Sequence, residues 1–127
     1  MDDSSNTCVS ICYAWYVNFG PWYPISEASL SAPETSGVLQ TRAEKVMDYK
    51  SGISAMVFYA CTEPGETLRE YVNGRGNGQI QRAEADGASL IRYAEVSEPM
   101  RELNRLLKRF NERFGSLPIG NGTAPNG

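Results

Sequence analysis

Two runs of strand-forming residues stand close together, "SGVLQTRAE" from Ser36 and "ISAMVFYAC" ending at Cys61. They constrain the fold more than any other stretch. Val, Leu, Ile, Phe and Tyr favour the pleated, half-buried surface of a sheet. The runs are consecutive, so an antiparallel pair is the expectation. The link "KVMDYKSG" is longer than a tight hairpin turn and has room to extend the first strand before the chain turns. "EPGETLREYV" follows with helix spacing: Leu68 and Val72 share a face, with Tyr71 beside them. Glu63, Pro64 and Glu66 suit the start of that helix, where negative charge is favoured.

The flanking segments complete the pattern. "PISEASLSAP" reads as one short helix, capped by Ser26 and stopped by Pro33. "NGRGNGQ" reads as a loop. Its glycines follow a helix, and it lacks both the preceding strand and the Lys-Ser/Thr of a P-loop, so it is a helix stop that leaves Arg75 exposed to a ligand. "ASLIRYAEV" is a third strand, with Ser89, Ile91, Tyr93 and Glu95 on one face and Leu90, Arg92, Ala94 and Val96 on the other. "SEPMRELNRLLKRFNERFG" is the clearest helix, capped by Ser97, opened by Pro99 and ended by Gly115. Met100, Leu103, Leu106, Leu107, Phe110 and Phe114 form its apolar stripe. Arg101, Arg105, Lys108, Arg109 and Arg113 fill much of the other side, with Glu98, Glu102 and Glu112 as available partners.

The predicted architecture is α/β (α+β), with a small three-stranded sheet flanked by helices in the order α-β-β-α-β-α. Its core spans residues 36–121. Residues 1–35 form an aromatic-rich extension with a short helix, frayed over Met1 to Thr7, and residues 122–127 form a flexible tail. Within the extension, Trp15, Tyr16, Phe19, Trp22 and Tyr23 cluster, and Pro21 and Pro24 break any long helix. These rings either pack onto the sheet or form a platform for unstacked bases, although no basic residue lies near them in sequence.

Composition narrows the chemistry. The 127 residues suit one domain, and 41% of them are apolar. About two thirds of the unfolded surface can be buried at this size. No run approaches the ~18 apolar residues of a membrane span, and the acidic start "MDDSSNT" does not resemble a signal peptide, so a soluble, cytoplasmic protein is expected. There is no histidine, which removes the commonest general base and metal ligand. Three cysteines, Cys8, Cys12 and Cys61, are an odd number without disulfide spacing and make a poor zinc set. The net charge is −3, unevenly spread: residues 1–63 carry 3 basic and 7 acidic residues, and residues 64–127 carry 9 and 8. Eight of those nine are arginines. Such a chain is no general phosphate binder, but a local arginine face can still bind phosphate.

"GVL" on the first strand and "YAC" on the second, with 19 residues between them and an "LRE" helix after, resemble the two tripeptides of the GIY-YIG nuclease fold. The resemblance covers Ser36 to Asn121. It implies a site built from a tyrosine on each strand, a helix arginine, a metal-holding glutamate on a later helix and a late asparagine. Carried over by position, Tyr59, Arg69 and Asn121 would be catalytic, and Glu102 would hold Mg²⁺ or Mn²⁺. Arg75 is a second choice for the arginine, and Leu103 a second choice for the glutamate position. The first tyrosine falls on Leu39, which cannot titrate, and the glycine of the second motif becomes Cys61. A phenol can help activate water, an arginine stabilises phosphate charge, and one divalent metal acts as Lewis acid and template.

Three functions follow. The first is a degenerate GIY-YIG-like module that binds DNA or RNA through Arg69, Arg75, Arg101, Arg105 and Arg109. The second is an active metal-dependent endonuclease using Tyr59, Arg69 and Glu102. The third is a protein-interaction or structural module whose charged helix is merely solvated.

Overall fold

The computed structural model of the chain describes residues 17–75 and 78–121, with Arg75 described by its backbone alone. Met1–Thr7, Cys8, Cys12, Trp15, Tyr16 and the 122–127 tail lie outside the described residues. In chain order the elements are β1 (Tyr23–Pro24), a 3₁₀ turn (Ile25–Glu27), α1 (Ala28–Ser31), β2 (Gly37–Tyr49), β3 (Gly52–Cys61), α2 (Leu68–Glu70), a π turn (Tyr71–Arg75), α3 (Gln79–Ala85), β4 (Ala88–Glu95) and α4 (Pro99–Phe114). No helix among the described residues is long and apolar enough to cross a membrane.

β2 and β3 form the expected antiparallel pair, and β2 runs through "KVMDY" before it turns. The sheet is mixed with helices as predicted but has four strands, in the order β1-β4-β2-β3 and antiparallel throughout. The added strand is the bridge of Tyr23 and Pro24 to Ile91 and Leu90. Proline has no N–H to donate, so it is tolerated at an edge like this one. A two-residue strand containing proline shows no alternation, which is why three strands were expected.

The helices also differ from the predicted order. α3 is additional: its Ile80 and Ala83 are buried three residues apart, and Gln, Arg, Ala and Glu all favour helix. "PISEASLSAP" divides into a 3₁₀ turn and one α-helical turn, with no side-chain cap from Ser26. Instead of Glu63 or Glu66, Thr67 starts α2. Its hydroxyl accepts from the Glu70 N–H (3.1 Å), and the Glu70 carboxylate accepts from the Thr67 N–H (3.0 Å). Those two bonds satisfy reciprocal orphan groups at a helix start. The N-cap of α4 is Glu98 rather than Ser97, while Pro99 and Gly115 (φ 80°) open and close it as predicted.

The sheet is covered on both sides. On one face Leu39, Phe58, Ala60, Ile91 and Tyr93 join Ala28, Ala32, Leu68, Tyr71, Ile80 and Ala83 in the main core. On the other, α4 lays Phe110 edge-on against Tyr59 (5.8 Å between centroids) and Tyr49 (5.0 Å). Gly37 is glycine for a physical reason: a Cβ there would collide with the Ala94 carbonyl oxygen and lie 2.8 Å from Leu68 Cδ1.

β3 is an outer edge, which natural sheets must protect. Here the chain after α4 covers it. The Gly120 N–H donates to the Val57 carbonyl (2.6 Å). The Asn121 side chain accepts from the Tyr59 N–H and donates to the Tyr59 carbonyl, both at 2.9 Å. One amide thus imitates a strand residue.

Candidate nucleic-acid interface

Strand register decides which polar groups meet. Gln40 lies opposite Tyr59 on β3 and opposite Arg92 on β4, so the three share a face. Leu39 lies opposite Ala60 and Tyr93, and is fully buried in the core on the other face. Leu39, where the resemblance puts a first tyrosine, therefore points away from Tyr59. Arg92 Nε donates to Oε1 of Gln40 (2.8 Å), a residue only 5% exposed.

Above this layer the segment 17–22 brings aromatic rings over the sheet, anchored where the Gly20 N–H donates to the Tyr93 carbonyl (2.9 Å). The Arg92 guanidinium carbon lies 4.6 Å from the Phe19 ring centroid and 4.5 Å from that of Trp22. Arg42, one diagonal step away on β2, lies 5.5 Å from the Trp22 ring. Both are within cation–π range. Neither guanidinium is ion-paired among the described residues: Arg42 Nε donates to the Ala43 carbonyl (3.2 Å), and Arg92 bonds the neutral Gln40 amide. Burial lowers the Arg92 pKa; the Tyr59 phenol raises it, and the Arg42 charge lowers it again. Two like charges thus share a half-buried place with no carboxylate ion-paired to either among the described residues. The sequence left these rings either packed onto the sheet or forming a base platform, with no basic residue nearby in sequence; the cations come from strand positions 20 and 70 residues downstream of Trp22. Mid-strand arginines on the face opposite an apolar one were the signal.

The residues suggested by the resemblance fall in several places. Tyr59 and Asn121 line one cavity of about 560 Å³ at the β3 edge, together with Cys61, Glu66, Tyr71 and Leu103. Burial pushes the Tyr59 phenol well above the usual tyrosine range, with Arg92 opposing, so it remains protonated at neutral pH. Burial likewise pushes the Cys61 thiol up, reinforced by Glu63 and Glu66. The Tyr71 phenol is raised by burial first and by Glu66 second, and its hydroxyl is bound to Oε1 of Gln79. The α4 residues lining this cavity are Met100 and Leu103. Glu102 is a further 100° round the helix and lies 3.8 Å from Arg105.

Arg69 is engaged elsewhere. Its Nε donates to the Ala32 carbonyl (3.0 Å) and its Nη1 meets Glu34 Oε2 at 2.6 Å. It ties α2 to the segment before β2. Arg101 pairs with Glu98 at 3.1 Å. Arg105 and Arg109 are likewise in contact with partners. Arg75 ends the π turn, after Gly74 (φ 135°). Among the described residues no group of three His, Cys, Asp or Glu side chains stands together to hold a metal. The one carboxylate that the resemblance assigns to Mg²⁺ or Mn²⁺ is turned toward an arginine, and the position beside Tyr59 and Asn121 is a leucine. Neither Glu102 nor Leu103 therefore sets a carboxylate beside Tyr59 and Asn121.

Comparison with family models, curated proteins and solved structures returned no match for this chain.

Proposed function

We propose that this chain is a GIY-YIG-like domain that binds nucleic acid without cutting it. The observation that carries the reading is the pair Arg42 and Arg92, held against Trp22 and Phe19 with no carboxylate partner among the described residues. Two guanidiniums that repel one another are stabilised together by an anion, and arginine suits phosphate because its planar fork donates in pairs. Aromatic faces beside them add sites for bases.

The same geometry weighs against catalysis. Leu39 is in the core, Leu103 faces the cavity where a metal ligand is wanted, and Tyr59 keeps its proton.

Fluorescence anisotropy with a labelled oligonucleotide tests the reading, with the products then run on a gel after incubation with Mn²⁺. The expected result is binding that weakens at least fivefold in Arg42→Glu, with no cleavage. Cleavage lost in Glu102→Ala would establish the endonuclease instead. Absence of binding at low salt would refute the nucleic-acid reading and leave a protein-interaction module.

A further inference from the structure

The Arg42–Arg92 site also says which form of nucleic acid it takes, an inference that rests on the reading above. Duplex binding requires many uncompensated cations, because affinity comes from the number of phosphates neutralised. This chain carries a net charge of −3. Arg101 and Arg105 of its longest helix are within salt-bridge distance of Glu98 and Glu102.

The Arg42–Arg92 pair, by contrast, is small and recessed. Arg92 is half-buried over the buried Gln40 amide, Arg42 stands diagonally beside it, and the rings of Phe19 and Trp22 flank them. A base paired in a duplex cannot present its face to a ring. An unstacked base can, and base–aromatic stacking is tolerant of sequence. We infer that this site takes an unpaired stretch of DNA or RNA, about two nucleotides long, with its phosphates on Arg42 and Arg92 and a base on Trp22.

The test compares a labelled dT10 strand, an rU10 strand and a blunt duplex of equal length on the full chain, by anisotropy at fixed low salt. The single strands should bind at least tenfold tighter than the duplex. Trp22→Ala should weaken single-strand binding by about 5-fold to 160-fold, since one stacked base is worth about 1–3 kcal/mol. Trp22→Phe keeps a ring and should recover most of that loss, which separates stacking from a general loss of structure. Circular dichroism of each variant should match the parent. Duplex binding as tight as single-strand binding overturns this inference and leaves the proposed function standing. Equal affinities for Trp22→Ala and the parent also overturn it. Failure of every oligonucleotide to bind refutes both.

Discussion

Replacing Asn121 with alanine separates a structural role from a catalytic one. The Asn121 amide makes two hydrogen bonds, at 2.9 Å each, with the N–H and carbonyl of Tyr59 on the edge of β3. The tyrosine is only 6% exposed, so its backbone groups would not be freely rehydrated. A net hydrogen bond contributes about 1 kcal/mol, and a buried group left unsatisfied costs more. The two together put the loss at about 2 kcal/mol. For a domain of this size that lowers Tm by about 6–12 °C. Urea denaturation followed by circular dichroism measures it, and the m-value should stay constant because the surface exposed on unfolding is unchanged. Asn121→Asp should lose a similar amount, because it keeps the acceptor for the Tyr59 N–H but sets a carboxylate oxygen against the carbonyl. If Asn121→Ala unfolds within 0.3 kcal/mol of the parent, roughly the resolution of such a comparison, the edge-pairing account is wrong.

Three further outcomes follow from the same packing. Gly37→Ala places a Cβ against the Ala94 carbonyl oxygen and should cost about 2–3 kcal/mol or prevent folding, again by urea denaturation. Thr67→Ala removes one half of the α2 capping box and should cost about 1 kcal/mol without altering oligonucleotide affinity. The buried Tyr59 and Tyr71 phenols hold their protons above the range of the unfolded chain. Their contribution is therefore fully present below about pH 10 and is lost as pH rises further, because the unfolded chain releases protons that the folded chain retains. Stability should fall by about 1.4 kcal/mol per pH unit for each such phenol, and a flat stability profile from pH 9 to 11.5 would contradict this.

Legibility in the sequence followed the length of the periodic signal. The hairpin, β4 and the 16 residues of α4 carry many alternating or helical positions, and their bounds lie close to expectation. β1 and α3 are two and seven residues long, too short for a period to stand out. The capping box was present in "TLRE" as a Thr-x-x-Glu spacing, yet acidic residues just upstream drew the helix start to themselves. Asn121 was singled out by position, but its bonds to Tyr59 emerge only once the chain after α4 folds back along the edge. The Arg42–Arg92–Trp22 cluster was the least legible, because its members meet through register. Only the pairing of Gln40 with Arg92 brings β4's arginine beneath a ring from segment 17–22.

The most direct test of the central claim is the salt dependence of single-strand binding. Anisotropy titrations of the full chain with dT10 across about 25–200 mM NaCl (an eightfold range) give log K against log salt. Two phosphates neutralised by Arg42 and Arg92 predict a slope of about −1.4, falling to about −0.7 in Arg42→Gln. A slope near zero, or one that Arg42→Gln leaves unchanged, would contradict the account.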